Sequence, residues 1–342
     1  METKDVHAKL VERLNPPNPN SEYLKQILRR LVTSEEGEIL LRLPAEPADL
    51  AQEAGLPEEE VRRIIQECTE KGLVISTSKG PRLVREIVQF HDASLSSSEK
   101  WVDAGLLDLW KAFYEAEFFP FMEAMSRLPS DSQVKGVRVV PAWKAIERSR
   151  RLSMAEVRPE ENLRDLVRSA DVIAVVPCTC RRSLRRCHHT VENCVVFNRG
   201  AEYAINRGAG RSVSADEAMA VFGEAEEAGL VHTWPFALSS RLNEICNCCD
   251  DCCIYLDSGL KFGTVSRTLE RSHLRAEVDP GICNGCQDCV ERCFFEAIEM
   301  KITPTGKKLK AAVDVDKCFG CGVCAVACDV SAIEMKPRRP VH

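Results

Sequence analysis

The sequence predicts a multidomain α+β protein. Three observations carry that prediction: a helical first third, a middle in which buried strands alternate with helices, and a C-terminal cysteine pattern that occurs twice. At 342 residues the chain exceeds one ordinary domain, and an apolar share of 44% can fill more than one core. Cysteine is unevenly spread, with 17 of the 18 lying after residue 177. Such crowding marks either a disulfide scaffold or metal ligation. The opening Met-Glu-Thr-Lys-Asp has no apolar signal core, and the central apolar run Val172 to Val176 is far short of the roughly 20 residues of a membrane helix. A cytoplasmic chain without membrane insertion is expected, and in a reducing compartment metal is the better explanation of the thiols. Net charge is −6 with basic residues dispersed, which leaves no electrostatic footprint for nucleic acid or anionic lipid.

Residues 1–20 end in Asn15-Pro16-Pro17-Asn18-Pro19-Asn20, a helix-breaking stretch that reads as a tail or linker. Residues 21–90 read as helices followed by a hairpin. Thr33 with Glu36 forms a capping box, Pro47 to Ala54 gives a short helix, and Pro57 opens another that closes at Gly72. Val61, Ile64, Ile65 and Cys68 share one face of that last helix, where Cys68 serves as a small buried hydrophobe. Strands Leu73 to Ile75 and Leu83 to Val84 flank the turn Ser76-Thr77-Ser78-Lys79-Gly80-Pro81. This module resembles a winged helix. DNA binding is not expected of it, because its third helix begins Pro57-Glu58-Glu59-Glu60, with carboxylates where phosphates and base edges would come. A packing or partner-docking role is expected instead.

Residues 91–135 form a helical segment rich in aromatics, from Trp101 through Trp110, Phe113, Tyr114, Phe118 and Phe119 to Phe121, with a break expected at Pro120. In residues 136–273 the periodicity changes. Val137 to Val140 and Val172 to Val176 read as buried strands, Glu161 to Ala170 as a helix, and Ser214 with Glu217 caps a further helix ending near Gly229. That is a cysteine-rich α/β domain.

Residues 274–342 carry Cys283-x2-Cys286-x2-Cys289-x3-Cys293, repeated 35 residues later as Cys318-x2-Cys321-x2-Cys324-x3-Cys328. Ala297-Ile298-Glu299-Met300 likewise recurs as Ala332-Ile333-Glu334-Met335. The segment resembles the bacterial dicluster ferredoxin, which holds two [4Fe-4S] clusters. The resemblance implies that the fourth cysteine of each run ligates the other cluster. Cys283, Cys286, Cys289 and Cys328 would hold one cubane, and Cys318, Cys321, Cys324 and Cys293 the second. Gly285, Gly320 and Gly322 are expected to let backbone approach the inorganic sulfides. Phe294 and Asp329 stand where the family has proline. Ten acidic against ten basic residues in this segment make it more like a built-in wire than a freely diffusing carrier.

Nine more cysteines, Cys178, Cys180, Cys187, Cys194, Cys246, Cys248, Cys249, Cys252 and Cys253, are candidate metal ligands. An additional iron–sulfur cluster is expected on a subset, ahead of zinc. In the vicinal pairs Cys248-Cys249 and Cys252-Cys253, one member should face a given centre while the other faces a second centre or the core. His188 and His189 are weaker candidates. Arg181, Arg182, Arg185 and Arg186 either favour a reduced cluster, bind an anion or form a solvated loop.

The whole arrangement is similar to iron–sulfur proteins of anaerobic bacteria. The function expected is electron transfer through the two clusters, and a further middle cluster, to a partner redox enzyme or oxidoreductase complex in anaerobic metabolism. The alternatives are a reductase acting on a small substrate at an open middle cluster, and a redox-sensing winged-helix regulator.

Overall fold

The computed structural model describes residues 5–77, 80–128, 136–235, 243–302 and 308–338. The chain divides into two compact units, one of residues 1–127 with 176–186 and 201–211, the other of residues 128–175 with 187–200 and 212–342.

The first unit opens on α1 (Val6–Arg13), which buries Val6, His7, Leu10 and Val11. The tail expected over residues 1–20 therefore holds a core helix. Its apolar residues recur at helical spacing, a signal that the following prolines mask. α2 (Glu22–Leu31) is capped by Ser21, whose hydroxyl accepts from the Leu24 amide at 3.1 Å. α3 (Ser34–Leu41) carries the Thr33–Glu36 capping box, α4 (Pro47–Ala54) starts on its proline, and α5 (Glu58–Glu70) buries Val61, Ile64 and Cys68. Burial pushes the Cys68 thiol up to about 12, as suits a neutral core residue. Strands β1 (Val74–Thr77) and β2 (Gly80–Leu83) pair antiparallel; Ser78 and Lys79 of the predicted turn lie outside the described residues.

α6 (Ile87–Leu95) leads to α7 (Ala104–Phe113) and α8 (Phe119–Ser126), joined by a π-helical turn over Tyr114–Phe118. Pro120 does not break this helix as expected. It sits at the start of α8, where the widened turn absorbs the hydrogen bond that proline cannot donate. Trp110, Phe113 and Tyr114 are fully buried, and Trp110 and Tyr114 each meet the His91 ring edge-on at about 5 Å. Phe118 and Phe119 are buried as well, so the aromatic stripe is core apart from half-buried Trp101 and exposed Phe121. Helix α11 (Thr179–Leu184) completes this unit with part of α12 (Arg199–Asn206), whose Tyr203 hydroxyl donates to the Val74 carbonyl at 3.0 Å.

In the second unit the sheet order is β6-β4-β5-β8-β7-β3-β9, from β3 (Val137–Val140), β4 (Ile173–Pro177), β5 (Glu192–Phe197), β6 (Arg211–Ser212), β7 (Val231–Trp234), β8 (Glu244–Cys248) and β9 (Leu269–Glu270). β5, β8, β7 and β3 are antiparallel neighbours, and β9 runs parallel to β3. The helices are α9 (Trp143–Arg148), α10 (Leu163–Arg168), α13 (Ala215–Glu227), α14 (Ile254–Lys261) and α15 (Val265–Thr268), with the Ser214–Glu217 capping box opening α13.

The same unit contains the duplicated segment. β10 (Leu274–Val278), α16 (Asp288–Glu291) and β11 (Ile298–Ile302) recur 35 residues later as β12 (Leu309–Val313), α17 (Val323–Val326) and β13 (Ile333–Pro337). Pairing crosses between the copies: β10 pairs with β13 and β11 with β12, both antiparallel. The predicted boundary at residue 274 does not separate two bodies. α17 and β13 pack on α9, the Ala142 amide donates to the Cys321 carbonyl at 2.8 Å, and the Met335 amide donates to the Ser149 hydroxyl at 2.7 Å. One continuous apolar core runs through both parts.

Glu226 on α13 is 1% exposed and accepts from the Trp143 amide at 2.6 Å and the Lys144 amide at 3.1 Å, which caps α9. His232 Nε2 is 3.1 Å from the same carboxylate, His232 Nδ1 is 2.6 Å from Asn247 Oδ1, and Asn247 donates onward to the Asn193 carbonyl. Glu226→Ala should strand these donors and destabilise the second unit by roughly 3–5 kcal/mol, read by denaturant unfolding.

Candidate metal centres

Two small cavities lie in the duplicated segment. Cys283, Cys286, Cys289 and Cys328 line the first, and Cys293, Cys318, Cys321 and Cys324 the second. Each thus brings together three cysteines of one run and the fourth of the other. Met300, Ala311 and Ile333 line the first together with Asn284, Gln287 and Asp288 of its exposed loop, and Ala276, Ile298 and Val313 line the second. Four soft thiols around one cavity suit a [4Fe-4S] cluster.

Electrostatics agree. Burial, reinforced by the sulfurs of Cys283, Cys286 and Cys328, pushes the Cys289 thiol up to about 11. In the second cavity burial raises Cys293, Cys321 and Cys324, with the neighbouring sulfurs adding to it. Thiols crowded this way stay protonated without metal, so loading a cation displaces protons and couples affinity to pH. The two fourth cysteines have matching partners: the Ala297 amide donates to Cys293 Sγ at 3.3 Å and the Ala332 amide to Cys328 Sγ at 3.2 Å.

The turns depend on left-handed backbone. Gly285 (φ +84°), Gly320 (φ +74°) and Gly322 (φ +80°) all adopt it. Close approach here is to protein. A Cβ at Gly320 would stand 2.1 Å from the Leu274 carbonyl oxygen, one at Gly285 2.6 Å from that of Leu309, and one at Gly322 2.7 Å from Ala145 Cβ. Gln287 keeps φ +80° at the position that matches Gly322. The two copies also differ in exposure. Asn284, Cys286, Gln287 and Asp288 are exposed, whereas residues 318–326 are buried throughout.

None of the eighteen cysteines forms a disulfide. The nine middle ones fall into three sets. Cys178 and Cys180 belong to the first unit, where Cys178 stands at the N-terminal boundary of α11. Neighbouring arginines are engaged there too: Arg182 donates to the Leu95 and Ser97 carbonyls, Arg185 pairs with Asp108, and Arg186 pairs with Glu115. These contacts tie α11 and the residues after it to the rest of the first unit.

In the second unit Cys194, Cys246, Cys248 and Cys253 form a row of neighbouring thiols. Cys194 stands on β5 and Cys246 and Cys248 on one face of β8. Cys194, then Cys248 and burial, hold the Cys246 thiol well up. Cys246 lowers its neighbour Cys248, but Cys253 and burial outweigh that.

The third set is Cys187, Cys249, Asp251 and Cys252, whose donor atoms all lie within 4.8 Å of one another. Asp251 lies between the vicinal pairs Cys248-Cys249 and Cys252-Cys253, a carboxylate that thiol spacing alone does not single out. His188 is exposed and the tight group includes neither histidine, while His189 supplies a backbone N–H to the Cys187 sulfur.

Four-thiol cavities of this kind are suited to iron–sulfur clusters. Residues 311–334, which include Cys318, Cys321, Cys324 and Cys328, match the 4Fe-4S binding domain. No curated protein and no solved structure matches the chain. Among the described residues no helix is long and apolar enough to cross a membrane.

Proposed function

We propose that the protein is an electron-transfer subunit with two [4Fe-4S] clusters, one on Cys283, Cys286, Cys289 and Cys328 and one on Cys318, Cys321, Cys324 and Cys293. The observation that carries this reading is the pair of four-cysteine cavities, each closed by the fourth cysteine of the opposite run. The exposed Cys286 loop is the port for a partner redox enzyme of anaerobic metabolism. The buried 318–326 loop, seated on α9, is the inner end of the wire.

A further iron–sulfur cluster on the row Cys194, Cys246, Cys248 and Cys253 is the next station. Its support is the buried chain from the α9 N-terminus through Glu226 and His232 to Asn247, which stands between Cys246 and Cys248. Stopped-flow reduction tests the direction. Without the first cubane, as in Cys286→Ser, the second should accept electrons from a protein donor far more slowly than in the parent, while small dithionite still reduces it. An unchanged rate from the protein donor contradicts an entry port at the first cubane.

The N-terminal helices and hairpin are read as a winged-helix module that docks protein. Arg62 pairs with Glu58 and Arg63 with Glu60 and Glu67 along α5, so carboxylates accompany each guanidinium. Footprinting should show no sequence-specific DNA protection, and specific protection weakened by Arg62→Ala or Arg63→Ala would overturn this reading.

A further inference from the structure

We infer that Cys187, Cys249, Cys252 and Asp251 hold a single zinc ion, in a centre separate from every iron–sulfur site. This rests on the reading that the middle cysteines ligate metal, and it assigns this set to a mononuclear ion in place of a cluster.

Distance carries the inference. Cys187 Sγ lies 3.9 Å from Cys249 Sγ and 3.6 Å from Cys252 Sγ. With zinc–sulfur bonds of about 2.3 Å, two thiolates on one tetrahedral ion stand about 3.8 Å apart. A cubane places its four thiolates on four different irons and so spreads them further. Neither contact is a disulfide, whose sulfurs are about 2.05 Å apart, and Cys187 has two such neighbours at once. The carboxylate oxygen of Asp251, inside the same 4.8 Å group, completes four donors. Zinc, with no preference imposed by its d-electrons, accepts three sulfurs and an oxygen.

Local backbone explains how the chain makes two centres from one cysteine run. β8 ends at Cys248 and α14 begins at Ile254, so Cys249, Asp251 and Cys252 lie on the tight turn between them. Vicinal side chains diverge. Cys249 and Cys252 turn toward Cys187, while Cys248 and Cys253 turn into the apolar core and join the row with Cys194 and Cys246. Cys249 and Cys252 are 1% and 0% exposed and form the floor; Cys187 and Asp251 form the half-buried rim. An ion there pins the loop carrying Cys187 to the β8–α14 turn within the second unit.

Elemental analysis and zinc K-edge X-ray absorption on the full chain, purified anaerobically, test the assignment. One zinc per chain is expected, with three sulfurs at about 2.3 Å and one oxygen at about 2.0–2.2 Å. Cys187→Ser and Cys252→Ser should each lose the zinc while keeping both cubane signals, which also report that the chain has folded. If Cys252→Ser does not fold, Asp251→Ala on the rim decides. It should weaken zinc on the order of tenfold or more in chelator competition. Zinc retained in Cys187→Ser and unweakened in Asp251→Ala would overturn the assignment. So would iron with sulfide lost from this set in Cys187→Ser, although the middle-metal reading would then survive. No metal beyond the two cubanes would sink both. Zinc present without any cubane would leave this centre standing and remove the electron-transfer reading.

Discussion

Cys328→Ser should abolish the same cubane signal as Cys286→Ser, although the two residues are 42 positions apart and belong to different runs. Both line the first cavity. By the same reasoning Cys293→Ser should copy Cys321→Ser. In each case about four iron atoms per chain should be lost relative to the parent. The structural consequences should differ. Cys286 is exposed on its loop, so its replacement should leave a folded chain. Cys321 lies in a buried loop held by the Ala142 amide and closely packed on Ala145, so losing its cubane removes metal-binding free energy from the core of the second unit. A much lower melting temperature is expected for Cys321→Ser than for Cys286→Ser. Should Cys328→Ser instead remove the signal lost in Cys321→Ser, each run would hold its own cluster and the crossed assignment would fail.

Gly320→Ala should be among the most damaging single substitutions. An alanine at φ +74° carries roughly 1–2 kcal/mol of backbone strain. Its Cβ would also stand 2.1 Å from the Leu274 carbonyl oxygen, on a strand fixed by its pairing with β13. Neither backbone can yield without breaking the Cys318–Cys321 turn or the β10–β13 ladder. A total cost of about 3–5 kcal/mol, with loss of the second cubane, is the expected result in denaturant unfolding and iron analysis. Gly55→Ala is the control. Its φ is +68° but nothing lies within 4 Å of the added carbon, so strain of about 1–2 kcal/mol should remain alone and iron content should not change.

The duplicated segment was the most legible part of the chain because cysteine spacing, the Gly285/Gly320 turn and strand sequences recur together. The structure carries the same 35-residue offset through β10, α16 and β11 into β12, α17 and β13. The helices from Thr33 to Glu70 were also readable, since capping boxes and terminal prolines are local signals. Long-range packing was not. Nothing local announces that α9 will support Cys321, or that the segment 176–186 belongs with residues 1–127. α1 escaped notice because the Pro16 to Pro19 stretch dominated its surroundings, and the π-helical turn escaped because Pro120 reads as a break. Among the thiols, the divergence of vicinal pairs was foreseeable from backbone geometry, whereas Asp251 as a donor needed the turn between β8 and α14 in three dimensions.

The most direct test of the two-cluster claim is iron and acid-labile sulfide counting on the full chain, purified anaerobically, with electron paramagnetic resonance of the reduced protein. At least about eight irons and eight sulfides per chain are predicted, with the signals of two neighbouring reduced cubanes. About four irons and a single cubane signal confined to Cys318, Cys321 and Cys324, with the Cys283 run bearing zinc or no metal, would contradict it.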